Sequence, residues 1–265
     1  VIVLEVKILS KDDGELSFLV EGIPVSLASA LRRVIISEVP TMAIDIVNFK
    51  KNDSVLTDEI IANRLGQIPF AFNKKAYNLP EECECEGKGC SRCQVELILK
   101  KKGPGVVYSG DIKSTDKDVY PVFDNIPITE LFSPDEEIEL TAIAKLGTGR
   151  KHAKWQGGIV GYKNLANITI SKDLDGKKEY LDSCPVNVFD LKGDKLVVSR
   201  PLNCILCMNC VDVSEGKIRV EPIEDSFIFN VETACGLSVE DLINFSLDVL
   251  ENKLDEFQKK IRKIG

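Results

Sequence analysis

Residues 26–47 read SLASALRRVIISEVPTMAIDIV, and the apolar period changes partway through them. Ser26 is a candidate N-cap. Leu27, Leu31, Val34 and Ile35 then recur at helical steps as far as the Pro40 stop, so the spacing predicts a helix over Leu27–Glu38. Past Pro40 the run AIDIVNF (43–49) alternates apolar and polar side chains, the pattern of a strand. Upstream, residues 1–22 alternate on either side of Asp13-Gly14 and predict a hairpin. Downstream, LTDEIIANRLGQIPF (56–70) predicts a short helix over Leu56–Leu65. From Ile44 to about Ile170, alternating runs such as VELILKK and EIELTAIAKL are separated by Gly- and Pro-bearing turns, which describes antiparallel sheet with few helices. SFIFNVETA (226–234) returns to strand alternation.

The end of the chain predicts a long helix. Ser238 caps it, Asp241 holds the capping-box position, and Ile243, Leu247, Leu250, Leu254, Phe257 and Ile261 follow at alternating steps of four and three. Such a seam needs a cover. Periodicity alone leaves two: the chain's own domain, or a helix of another chain.

With 265 residues the chain can bury a core without metal support, as one large or two modest domains. Its 34 Lys and Arg against 42 Asp and Glu leave a formal charge of -8, which works against dense contact with nucleic-acid phosphates and favours protein partners. No apolar run reaches the roughly 18 residues of a membrane span, and the opening residues lack a basic n-region and a cleavage site. A cytoplasmic protein is expected. In that reducing compartment nine cysteines favour metal ligation over disulfides.

Eight of the nine form two groups. CILCMNC at 204–210 matches the first three cysteines of the ferredoxin run C-x2-C-x2-C-x3-C-P, in which the last cysteine ligates the other cluster. Its fourth position is Ser214, and an upstream Cys184-Pro185 stands where a first run would end, with Leu174, Lys177 and Tyr180 in place of the other three cysteines. Cys184, Cys204, Cys207 and Cys210 are thus the ligands of one iron–sulfur cluster, in a segment resembling a ferredoxin module that has lost its second site. FDLKGDKLVV and VDVSEGKIRV predict flanking hairpins with turns at Gly193 and Gly216. Zinc on the same four thiols is the alternative. By resemblance to ferredoxins, the cluster is 4Fe-4S, or 3Fe-4S with Cys207 unligated.

The second group, ECECEGKGCSRC, puts Cys83, Cys85, Cys90 and Cys93 in one loop, suited to a tetrahedral zinc ion or, under oxidation, to disulfides. Cys235 stands outside both groups, as a small buried residue. A catalytic constellation is hard to assemble. The single histidine, His152, lies in GTGRKHAKWQGG, where Gly147 and Gly149 begin a dinucleotide pattern that fails at its sixth position. No phosphate-binding G-x4-G-K-[ST] motif occurs.

Four stretches carry a family resemblance: SLASALRRVIISEVPTMAIDIV, LTDEIIANRLGQIPF, the HAKW at 152–155, and the closing VETACGLSVEDLI. Together they resemble the D-type subunit of archaeal RNA polymerase, which is similar to the eukaryotic third-largest-type subunits and to the bacterial alpha amino-terminal domain. The resemblance implies an α+β fold. A discontinuous dimerisation domain, an antiparallel sheet with two helices at 1–43 and 223–265, would carry an inserted mostly-β domain at 44–170 and a ferredoxin-like insert at 171–222. It implies a non-catalytic platform that heterodimerises with subunit L and docks small subunits N and P and the second-largest catalytic subunit, with little or no DNA contact. Leu27, Leu31, Val34 and Ile35 would then pack inward or across the dimer, with the C-terminal seam at its interface. Arg32, Arg33, His152, Lys154 and Trp155 would face the large subunit. The competing function is a ferredoxin-like redox or redox-sensing protein; a zinc-dependent nucleic-acid binder is a third reading.

Overall fold

A computed structural model describes residues 4–172, 174–176 and 178–263. The first three positions of the expected hairpin and Lys177 of the ferredoxin comparison lie outside the described residues. In chain order the elements begin with β1 (Glu5–Lys11), β2 (Glu15–Glu21), α1 (Val25–Ser37), β3 (Thr41–Asn52), α2 (Asp58–Gly66), β4 (Phe70–Ala71) and β5 (Gln94–Lys102). Then follow β6 (Gly105–Tyr108), β7 (Ile112–Ser114), β8 (Tyr120–Pro121), β9 (Pro127–Leu131), β10 (Glu137–Gly147) and β11 (Gly158–Ile170). The chain closes with α3 (Lys178–Asp182), β12 (Phe189–Lys192), β13 (Lys195–Val198), α4 (Asn209–Val213), β14 (Ile218–Thr233) and α5 (Val239–Arg262). None of these helices is long and apolar enough to cross a membrane.

The chain is mixed α+β with antiparallel pairing, and it divides into two compact units. One joins the chain up to Arg32 with Val160–Val231; the other joins Arg33–Ile159 with the stretch from Glu232 onward.

The first unit is built on a sheet of order β1-β2-β14-β11. Leu16, Phe18 and Val20 alternate inward along β2, and Phe18 stacks on Phe229 with ring centroids 5.2 Å apart. Leading into and along β1, the alternation of Leu4, Val6 and Ile8 with Glu5 and Lys7 points to a core face, yet all three apolar residues are exposed. A second small core gathers Leu174, Tyr180, Val188, Phe189, Ile218 and Val220 around Cys184 and Cys210.

The second unit is built on the sheet β3-β10-β5-β7. Along central β10, Ile138, Leu140, Ala142, Ala144 and Leu146 turn inward, in register with Val95, Leu97 and Leu99 of β5. Ile61 and Leu65 of α2 join this core; burying each contributes about 1.5–3 kcal/mol. On the opposite face Glu139 pairs with Lys100, its register partner on β5, and with Lys50 at a bulge in β3.

Two local expectations are corrected. α1 starts two residues early, at Val25, because the Leu27 and Ala28 N–H groups donate to the Pro24 carbonyl, leaving Ser26 inside the first turn. VDVSEGKIRV is no hairpin: residues 211–213 belong to the one-turn helix α4, and only the half from Ile218 is strand. The helical step places Cys210 and Ser214 one turn apart, both buried, with the Ser214 N–H donating to the Cys210 carbonyl. FDLKGDKLVV does form its hairpin, turning at Gly193 with φ 62°.

Candidate functional site

All nine cysteines are free thiols. In the loop at 83–93 the sulfurs of Cys83, Cys85, Cys90 and Cys93 lie within 4.8 Å of one another, a set that could hold a metal ion. Cys83 and Cys90 are 3.5 Å apart, Cys85 and Cys93 3.5 Å, Cys90 and Cys93 3.8 Å. Gly87 and Gly89 adopt φ of 75° and 95°, which lets the chain fold back on itself within so few residues. Burial pushes the Cys93 thiol up to about 12. At Cys85 burial acts in the same upward direction but is outweighed by hydrogen bonds from the Cys93 thiol and the Gly89 backbone, which hold it at about 6. Cys85 is therefore available as a thiolate at neutral pH, while Cys93 is held as a thiol.

Cys184, Cys204, Cys207 and Cys210 line a single apolar recess walled by Ile168, Val188, Phe189 and Val220. Cys184 and Cys210 are buried and Cys207 is exposed. Among the described residues only the 83–93 group brings three or more ligand atoms within 4.8 Å, so these four sulfurs are spread more widely. That spread suits a cluster several atoms across better than one ion. The Val188 N–H donates to the Cys184 sulfur at 3.3 Å and the Leu206 N–H to the Cys204 sulfur at 3.5 Å. Between the last three cysteines, Leu206 and Met208 are held at φ 57° and 65°. Left-handed backbone costs a branched or long residue about 1–2 kcal/mol, so two such positions mark this loop as strained. Burial, reinforced by the neighbouring thiolates, lifts the Cys210 thiol.

The HAKW loop is pinned to the second sheet. The Trp155 indole N–H donates to the Lys145 carbonyl at 3.1 Å, and the Trp155 carbonyl accepts from the Thr41 hydroxyl at 2.9 Å. Lys154 donates to the Ile44 carbonyl and to Asp45, while its ammonium lies 4.3 Å from the Trp155 ring centroid. Trp155 is therefore a buried anchor, and its expected place on a contact surface is corrected. His152 stays exposed, its Nδ1 accepting from the Lys154 N–H. Gly147 and Gly149 serve packing: a Cβ on Gly147 would meet the Trp155 ring at 2.4 Å.

The predicted interface positions separate by burial. Leu31, Val34 and Ile35 are buried in the chain itself, so the expectation of a shared interface narrows to Leu27, which is 45% exposed. Arg32 and Arg33 are exposed, and the Arg32 Nε–H donates to the Val160 carbonyl at 3.0 Å. α5 answers both alternatives. Its N-cap forms as expected, with the Asp241 N–H donating to the Ser238 hydroxyl. Val239, Leu242 and Ser246 are buried, Ile243 and Leu250 are half-buried, and every described residue from Glu251 on is exposed. Leu254 is 69% exposed and Phe257 65%, with Leu247 and Ile261 close behind.

The profile of the RNA polymerase Rpb3/Rpb11 dimerisation domain matches residues 17–254, from β2 into α5. The chain belongs to this family. Among its relatives, "DNA-directed RNA polymerase subunit Rpo3" of Methanosphaera stadtmanae is 40% identical over 262 residues, covering 95% of this chain and 96% of the relative. The subunits of the same name from Archaeoglobus fulgidus and Thermococcus kodakarensis are 38% and 39% identical, covering 98% and 99% of each chain. The family resemblance seen in the sequence is thereby shown.

For this member of the Rpb3/Rpb11 family, three features escaped the sequence reading. Asp45, the partner of Lys154, sits in a strand where a lone acid reads as solvated. The exposed apolar row on β1 had the alternation of a core strand. Lys163, on β11, donates to two carbonyls of the cysteine loop, a long-range contact with no local signature.

Proposed function

We propose that the chain is an assembly-platform subunit of DNA-directed RNA polymerase with no catalytic centre of its own. It pairs with the smaller subunit L and carries docking surfaces for small subunits N and P and for the second-largest catalytic subunit. The observation that carries this is the α5 seam: Leu247, Leu254, Phe257 and Ile261, exposed at heptad spacing on a helix whose first two turns are anchored. Monomers rarely leave so continuous an apolar stripe in water, and a second dimerisation-domain helix is the cover it fits. On this reading 1–43 and 223–265 act together as the dimerisation part, with the mostly-β segment 44–170 and the ferredoxin-like segment 171–222 as its inserts. Leu27 adds to the interface, and Arg32, Arg33 and His152 face the large subunit. A cytoplasmic location goes with this role. The redox-carrier reading loses its ground, since the relatives are named for a polymerase subunit.

The proposal includes two metals. One iron–sulfur cluster on Cys184, Cys204, Cys207 and Cys210 is supported by the shared apolar recess and the N–H groups donated to two of the sulfurs. When bound, it cross-links four thiolates of the insert. Zinc on Cys83, Cys85, Cys90 and Cys93 is supported by sulfur separations of 3.5–3.8 Å, since a tetrahedron with Zn–S of about 2.3 Å has edges of about 3.8 Å. The deciding experiment mixes the purified chain with subunit L and follows the complex by size-exclusion chromatography with light scattering. A stable 1:1 heterodimer is expected; a chain that stays monomeric beside excess subunit L overturns the proposal.

A further inference from the structure

Lys163 projects from β11 towards the segment that delivers Cys204. Its ammonium donates to the Leu202 carbonyl at 2.8 Å and to the Cys204 carbonyl at 2.9 Å. Those carbonyls close the single 3-10 turn Pro201–Asn203, whose end is Cys204 itself, with the Cys204 N–H donating back to the Pro201 carbonyl. A cation there satisfies acceptors that the turn cannot satisfy internally. Among the described residues no carboxylate pairs with Lys163. With Ser17, Asn203 and Asn230, and with the apolar side chains of Leu9, Val186 and Ile228, it lines a groove of about 540 Å³, so an open groove rather than close packing backs the loop at this point.

We infer that Lys163 is a positioning residue for the iron–sulfur site: it straps the Cys204 loop to β11 and places an uncompensated positive charge beside the thiolates. The inference rests on the cluster reading above. A strap on the first cysteine of the run sets how readily that ligand swings away from iron. A fixed cation beside a net-negative centre stabilises the form carrying the extra electron and so raises the reduction potential. Both effects come from one side chain, and the adjacent Asn164 supplies a control. Its amide donates to the Ile223 carbonyl at 3.0 Å, which ties β11 to β14 without touching the cysteine loop.

The test uses the full chain, reconstituted with iron and sulfide under anaerobic conditions, as wild type, Lys163→Met, Lys163→Gln, Lys163→Arg and Asn164→Ala. Iron content, the rate of iron release to a ferrous chelator and the midpoint potential are measured for each. Lys163→Met is expected to release iron at least tenfold faster. Its reduced-to-oxidised ratio at fixed potential is expected to fall at least tenfold, which is a 59 mV downward shift for a one-electron couple. Lys163→Arg restores both quantities, and Asn164→Ala lowers the melting temperature while leaving both unchanged. If Lys163→Met does not fold, Lys163→Gln, which keeps a donor but loses the charge, still has to show the downward potential shift. Iron release and potential at wild-type values in the Met and Gln variants, or equal losses in Asn164→Ala, overturn the inference and leave the cluster reading standing. A wild type that takes up no iron at the four cysteines removes both.

Discussion

The Lys154 ammonium donates to the Asp45 carboxylate at 2.8 Å, joining residues 109 positions apart. Burial acts to raise Asp45's pKa, but the hydrogen bond and charge of Lys154, with Lys145 and Lys151 nearby, hold it below the usual carboxylate range. A depressed carboxylate contributes stability that is present above its unfolded value of about 3.9 and lost as the pH falls through its lower folded value. Asp45→Asn is therefore expected to cost about 0.5–1 kcal/mol at neutral pH, since the carboxylate is exposed and solvent screens the pair, and to flatten the acid limb of stability. Urea midpoints between pH 2 and pH 7 check both; an unchanged acid limb would assign that limb to other carboxylates.

Gly147 faces the ring of the chain's one tryptophan. A methyl group there would sit 2.4–2.9 Å from three Trp155 ring atoms, so Gly147→Ala must displace the indole from its bond to the Lys145 carbonyl. Overpacking of this kind costs about 1–3 kcal/mol. Because Trp155 is the single tryptophan, its fluorescence should shift to the red in the folded variant. An unshifted spectrum at unchanged stability would mean that the loop relaxes freely.

Along α5, anchoring and recognition fall on different turns. Leu242 is fully buried and touches the backbone crossing at Gly157 and Gly158, so Leu242→Ala is expected to cost about 2–5 kcal/mol of the isolated chain's stability. Leu254→Ser and Phe257→Ser should change that stability by less than about 0.5 kcal/mol. Each should weaken binding of subunit L by tenfold or more, as hot-spot truncations do. Calorimetric titration of subunit L into each variant separates the two classes; seam variants that bind at full affinity would place the interface elsewhere.

Removing metal from the 83–93 loop should act locally. The core of the second unit is assembled from residues such as Ile61, Leu65, Phe70 and Leu97, and none of the loop cysteines belongs to it. Cys93→Ser is expected to reduce zinc content from about one per chain to near zero. It should open the loop to proteolysis while moving the main unfolding transition by only about 2–4 °C, roughly 1 kcal/mol at this size. Acidification should also release the metal, because protons compete for thiolates. Elemental analysis with limited proteolysis is the measurement; collapse of the whole unit on zinc loss would contradict it.

Much of the architecture was legible from period alone. The hairpin at Asp13-Gly14, the strands around AIDIVNF, VELILKK and EIELTAIAKL, and the capped helix at Ser238 each declare themselves within a dozen residues, because local alternation and capping are local physics. VDVSEGKIRV misled for the same reason. Its Val-x-Val alternation suits a strand, but the Cys210 and Ser214 pair, buried one turn apart, needs a helix, and burial prevailed over period.

The sequence by itself determined the family, most of the long strands and helices and the two cysteine groups, since spacing along the chain is all that these require. Tertiary structure alone decided which apolar residues stay available. Leu31, Val34 and Ile35 sink into the chain while Leu254, Phe257 and Ile261, of the same chemical type and period, remain in water. Tertiary contacts also made Trp155 an anchor rather than a surface residue, and set Lys163 beside Cys204 across 41 positions. The physical reason is common to all of these: burial and charge pairing depend on what arrives from distant segments, and a helical or strand period records only which side a residue faces.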